Sequence, residues 1–162
     1  AEGGWGDMPL PEKKAEAVAR QALLFEEFIA RELKAGRFAL ALTPATAPIL
    51  LHGHCHQKAF GAVSPILDVL RLIPGAEPEL IESSCCGMAG SFGYEARHID
   101  VSMQMAEASL LPAIRARPDA IVVADGTSCR HQIGDGAQRE AVHVAVLLER
   151  HLVPPTLSPE QT

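Results

Sequence analysis

The sequence predicts an α/β domain with a mainly parallel sheet of about four strands flanked by helices. Three observations carry this expectation. Short apolar runs at "PILLHGH", "AEPELIES" and "DAIVVAD" read as buried strands, with a fourth near "EAVHV". Apolar residues recur at helical spacing in the segments between them. Strands that alternate with helices pair in parallel, because right-handed crossovers lay each helix on a face of the sheet. At 162 residues the chain is one domain's worth and buries a core without disulfide staples.

From Pro11, suited to a first helical position, Val18, Ala22, Phe25, Ile29 and Leu33 recur at helical spacing, and Gly36 supplies a stop. One amphipathic helix is therefore expected over 12–35. After the Pro-punctuated "LTPATAP", the first strand ends near His52. "HQKAFGAVSPILDVLRLI" reads as helical, with Ser64 and Pro65 marking a kink or a fresh start. The second strand is expected around 78–82, followed by one long helical pattern through Ile99, Met103, Ala106, Leu110 and Ile114. The third covers 119–125. A short segment after Cys129, the fourth strand and a last helix through Leu147, Leu148 and Leu152 complete the domain.

This places the domain at 12–152, between a flexible N-terminal segment (1–11, "AEGGWGDMPLP") and a flexible C-terminal tail (153–162). The Pro- and Gly-rich ends, and a first residue other than Met, read as a C-terminal segment of a longer chain. The formal charge of −6 and the lack of a Lys/Arg run argue against a nucleic-acid partner, which needs a basic face. No apolar run reaches the length of a membrane span, and no basic segment precedes an apolar core at the start. A cytoplasmic protein with reduced thiols is the expectation.

The chemistry gathers at four cysteines. Cys55 follows the first strand, Cys85 and Cys86 the second, Cys129 the third. The carboxyl ends of the strands line the crevice where open α/β sheets bind ligands, so three strand-to-helix turns deliver four sulfurs to one edge. There are 29 residues between Cys55 and Cys85 and 42 between Cys86 and Cys129, so the fold must assemble the site. Adjacent cysteines converge only where the backbone turns, and Gly87 and Gly90 permit that turn. They also let backbone N–H groups approach a negatively charged centre. Four thiolates select zinc or an iron–sulfur cluster over calcium or magnesium. His54, His56 and His131 flank the cysteines as candidate ligands, as donors to the ligands, or as plain loop residues.

Other features read more simply. "CCGMAGSFG" has the spacing GxxGxxG, not the dinucleotide-binding GxGxxG. Met103, Met105, Phe25 and Phe28 read as core or helix-face residues. Asp125 reads as a solvated strand-end carboxylate that caps the following turn.

"HGHCHQKA", "SCCGMAGSFGYE" and "DGTSCRHQI" together resemble the cysteine-rich CCG domain found in heterodisulfide reductase and in the iron–sulfur subunit of glycolate oxidase. Closer still, the chain is similar to the C-terminal iron–sulfur region of FAD-linked oxidases of the D-lactate and D-2-hydroxyglutarate dehydrogenase kind. The family pattern is Cys, then CCG, then CxxC. Cys55, Cys85, Cys86 and Cys129 match it, and Gly126 stands where the first cysteine of the last pair belongs. The resemblance implies a [4Fe–4S] cluster, or zinc, on these four cysteines. It also implies electron transfer from a flavin-containing dehydrogenase domain or subunit, with FAD in another part of the parent protein and no catalysis by this chain alone. A zinc-stabilised docking module and a thiol–disulfide enzyme using Cys85 and Cys86 are the alternatives.

Overall fold

The apolar runs become four parallel strands, β1 (Ile49–His52), β2 (Pro78–Leu80), β3 (Ile121–Ala124) and β4 (Ala141–Val142), hydrogen-bonded in the order β2-β1-β3-β4. The computed structural model describes residues 12–154. The expected N-terminal segment 1–11 and residues 155–162 of the expected tail lie outside the described residues. At the inner edge of that tail, the Val153 amide donates to the Ala41 carbonyl.

Alternation along the strands divides the core in two. Ile49, Leu51 and Val123 face one side, with Ile66, Val69 and Leu70 of α4 (Val63–Leu70) and Leu147 and Leu148 of α8 (Val144–His151). Leu50, Val122 and Ala124 face the other, with Leu110 and Ile114 of α6 (Leu110–Arg115) and Ile133 of α7 (Thr127–Ala137). Both faces of the sheet are thus covered, as a parallel sheet requires. From β1 the chain moves outward to β2, then returns to the other side of β1 as β3. This reversal opens a crevice at the carboxyl ends of β1 and β3.

The helices depart from expectation in three places. The single helix expected over 12–35 is two, α1 (Glu12–Ala19) and α2 (Phe25–Lys34). Glu27 reaches back to accept the Leu24 amide at 2.8 Å, which starts the second helix afresh. Only α2 buries residues, among them Ile29 and Ala30, whereas Val18 of α1 is exposed. The long pattern through Ile114 is also broken, into α5 (Ile99–Glu107) and α6. Pro112 has no N–H to offer the Ala108 carbonyl, and its ring crowds that carbonyl. Lastly, the short segment expected after Cys129 is the eleven-residue α7, which holds Cys129 in its first turn and tolerates Gly134 and Gly136.

Around Ser64 and Pro65 the fresh start is what forms. α3 (Cys55–Ala59) ends, the chain passes Gly61 in the left-handed region, and α4 begins at Val63. Phe25, Phe28 and Met105 lie on exposed helix faces.

Candidate metal centre

Each cysteine is delivered by a local device. Cys55 opens α3, whose start is fixed by Gln57: its Oε1 accepts the His54 amide at 3.0 Å. Cys129 lies in the first turn of α7, where Arg130 ties down the strand end by donating to the carbonyls of Ala124 (3.0 Å) and Asp125 (2.6 Å). Cys85 and Cys86 follow a loop clamped by Lys58, whose ammonium donates to the carbonyls of Ser83 and, at 2.9 Å, Ser84. Lys58 belongs to α3, so the same short helix that carries Cys55 also positions Cys85.

The four thiols lie near one another, Cys55 beside Cys85 and Cys86 beside Cys129, and the Cys86 and Cys129 sulfurs lie within 4.8 Å of each other and of a His52 nitrogen, a group that Cys55 and Cys85 do not join. None is in a disulfide. Cys86 and Cys129 are buried in the apolar layer, whereas Cys55 and Cys85 are half-buried. A hydrogen bond from Cys129, helped by His52, pushes the Cys86 thiol down to about 4. The same contact, together with burial, pushes the Cys129 thiol up. The two thiols titrate as a pair. Burial, then the contact with Cys85, raises the Cys55 thiol. The Gly87 amide donates to the Cys85 sulfur at 3.3 Å.

Of the flanking histidines, His54 is half-buried. Burial and the neighbouring His56 lower its pKa, while negative charge on Cys86 opposes them. His56 is exposed, with its ring edge on His54. His131 is also exposed, 2.6 Å from the Tyr94 hydroxyl. Gly90 provides a left-handed turn at the rim of the loop. Gly126 is the N-cap of α7, and the space beside it is already taken: a Cβ there would lie 2.6 Å from the His54 ring and 2.9 Å from the Cys129 sulfur. Gly126→Cys should accordingly destabilise the metal-free protein by about 1–3 kcal/mol through overpacking. Adding His54→Ala should restore most of the loss, as read by urea unfolding under reducing conditions.

His52 is the residue that the sequence motifs do not single out. It ends β1, is fully buried, and places a ring nitrogen within 4.8 Å of both the Cys86 and Cys129 sulfurs. Nδ1 is 2.9 Å from the Ser83 hydroxyl, and Nε2 has no nitrogen or oxygen partner among the described residues. An unpartnered buried polar atom costs about 1–3 kcal/mol. A signal for it exists: two residues after Leu50 on a strand, His52 must point to the same face, and that face carries Cys86 and Cys129. Two thiols beside this nitrogen, with two more thiols adjoining, form a soft donor set that fits a zinc ion or an iron–sulfur centre.

A cleft of about 730 Å³ is lined by Leu24, Phe25, Phe60, His54, Asp125 and His143, with none of the four cysteines in its lining. Asp125 corrects the sequence reading, in which it is a solvated cap of the following turn. Its side chain is 7 % exposed. It accepts from Gln57 Nε2 at 3.0 Å and from the Val144 amide at 3.0 Å, so it caps the distant α8. Gln57 Nε2 also donates to Glu26 at 2.8 Å. Glu26 is 2 % exposed, and its pKa is raised by burial above all, with the charge of Asp125 adding to the effect.

A folded-state pKa above the unfolded one makes the Glu26 contribution full below the unfolded value of about 4.5, and lost as pH rises through the raised value. Glu26→Gln should therefore unfold at a higher temperature than the wild type at pH 8, with the gap closing towards pH 4. Thermal melts across that range provide the check, and a gap independent of pH would contradict the assignment.

The chain has relatives among dehydrogenases. It is 32 % identical over 122 residues to a subunit of the anaerobic glycerol-3-phosphate dehydrogenase of Escherichia coli K12, a match covering 75 % of this chain and 30 % of that protein. Over 59 residues it is 39 % identical to D-2-hydroxyglutarate dehydrogenase of Escherichia coli K12 and 37 % identical to that of Pantoea ananatis, each match covering 36 % of this chain and 6 % of the relative. The chain thus spans under a third of the length of the curated relatives it matches. No family model and no solved structure matches it. Among the described residues, no helix is long and apolar enough to cross a membrane.

Proposed function

We propose that residues 12–152 form a cytoplasmic electron-transfer domain that holds a [4Fe–4S] cluster on Cys55, Cys85, Cys86 and Cys129. Its partner is a flavin-containing dehydrogenase domain or subunit, which keeps the FAD and the substrate. The observation that carries this reading is the convergence of four unpaired thiols, from three separate strand ends, on the crevice of a parallel sheet. The names of the relatives support the partner.

A cluster bound there would supply one-electron transfer, at a potential set by its charge, hydrogen bonds and burial. The chain's own residues act on those quantities. The Gly87 amide withdraws charge from the Cys85 sulfur, Lys58 brings a positive charge near Cys55, and the apolar layer around Cys86 and Cys129 excludes water. Gly87, Gly90 and Gly126 would let backbone approach the cluster, and His54, His56 and His131 are the histidines that flank the cysteines in sequence.

Zinc is the second reading, favoured by the His52 nitrogen beside Cys86 and Cys129, since mixed Cys/His shells are common for that ion. The pairing of Cys85 with Cys55 and of Cys86 with Cys129 favours a shared centre over a disulfide between Cys85 and Cys86. The test is anaerobic purification of the full-length parent, with iron, sulfide and zinc analysis and visible absorption. Brown protein with iron and sulfide is the expected result, and one equivalent of zinc in a colourless protein overturns it. The chain alone should not turn over a 2-hydroxy acid with a dye acceptor, and turnover without added flavoprotein would refute the assigned division of labour.

A further inference from the structure

We infer that His52 is a protein ligand of the centre, with its Nε2 joining the sulfurs of Cys86 and Cys129 around one metal ion. The inference rests on the zinc reading above, since four thiolates already fill a [4Fe–4S] cluster with one protein ligand per iron, and it adds to the centre a donor that is not a cysteine. Three observations support it. His52 is fully buried at the carboxyl end of β1, with its ring fixed by the 2.9 Å contact between Nδ1 and the Ser83 hydroxyl. Ser83 is itself held by Lys58, so the ring direction is fixed by residues that do not bind the metal. Holding one imidazole nitrogen by a hydrogen bond while the other binds metal is how ligating histidines are usually oriented.

The second observation is that Nε2 has no nitrogen or oxygen partner among the described residues, while a ring nitrogen of His52 lies within 4.8 Å of both sulfurs and stabilises the Cys86 thiolate. His98 also has a buried nitrogen without a hydrogen bond among the described residues, but that atom is 3.4 Å from the Glu95 carboxylate. His52 has no carboxylate partner of that kind. The third is the sizes involved. A nitrogen about 2.0–2.1 Å and two sulfurs about 2.3 Å from one metal ion are less than 4.8 Å apart, so the triad is near the separation that shared coordination demands. The exposed His56 and His131 meet none of these conditions.

The full chain, labelled with ¹⁵N-histidine, would be reconstituted anaerobically in two arms, one with ferrous iron and sulfide and one with Zn²⁺ alone. X-ray absorption at the edge of the bound metal reads imidazole scattering in either arm. Pulsed electron paramagnetic resonance reads histidine nitrogen coupling in the iron arm. The expected result is one bound histidine in the zinc arm of the wild type, unchanged in His56→Ala and His131→Ala and absent in His52→Gln. The wild-type spectrum remains decisive even if His52→Gln does not fold. Zinc held by sulfur alone overturns this inference and leaves the centre standing. A histidine signal that survives in folded His52→Gln, or disappears in His131→Ala, gives the role to another residue. Absence of bound metal in both arms overturns the centre and the inference together.

Discussion

Replacing Cys129 by Ser is expected to lower the bound metal about tenfold or more, while His131→Ala leaves it bound. Serine fits the space of the buried thiol, and its hydroxyl can still donate to the Cys86 thiolate, so the fold should persist. What is lost is the soft donor: a hydroxyl is a poor ligand for a metal that prefers sulfur. Cys129 is fully buried beside Cys86 and close to His52, so no mobile side chain can swing in to replace it. His131, by contrast, is exposed and engaged with the Tyr94 hydroxyl. Metal analysis and visible absorption of both variants after one anaerobic reconstitution decide the matter. Full metal in Cys129→Ser with loss in His131→Ala would move the ligand assignment to the histidine.

Why the sulfurs can be placed from sequence is a question of strand ends. β1 and β3 are four-residue apolar runs, and a cysteine a few residues beyond each must lie at the carboxyl edge of a parallel sheet, whatever the helices do. The helices are less legible, because apolar spacing does not register where a helix stops. The spacing runs unbroken past Ser109, although Pro112 forces a break in the helix there. Two glycines hide α7, since their low helix propensity is overridden by the burial of Cys129, Gln132 and Ile133 on its inner face. His52 is hidden for a different reason. It closes an apolar run and looks like the start of a loop, and only the pairing of β1 with β3 puts the end of that run beside Cys129. Long-range pairing also explains Glu26 and Asp125, whose common partner Gln57 is 31 and 68 residues away from them.

Gly87→Ala is expected to be the most damaging single methyl group in the chain, costing about 3–5 kcal/mol of stability. Two penalties combine. Gly87 has a φ of +93°, a conformation that residues with a Cβ rarely adopt. The added Cβ would also lie 2.1 Å from the backbone oxygen of Ser102, far inside contact distance. Relief requires moving the backbone of α5, because that oxygen is no flexible side-chain end. It also accepts a hydrogen bond from Gln132 at 3.1 Å, so pushing Ser102 away disturbs α7, the helix that carries Cys129. Gly90→Ala separates the two penalties. Gly90 has a φ of +68° with no atom within 4 Å of the added Cβ, so only the conformational cost of about 1–2 kcal/mol remains. Urea unfolding of the metal-free, reduced proteins measures both. Equal losses would mean that α5 yields freely to the loop. A loss at Gly87 exceeding that at Gly90 by about 2 kcal/mol or more would mean that close packing of the Cys-Cys-Gly turn against α5 holds Cys86 in place before any metal arrives.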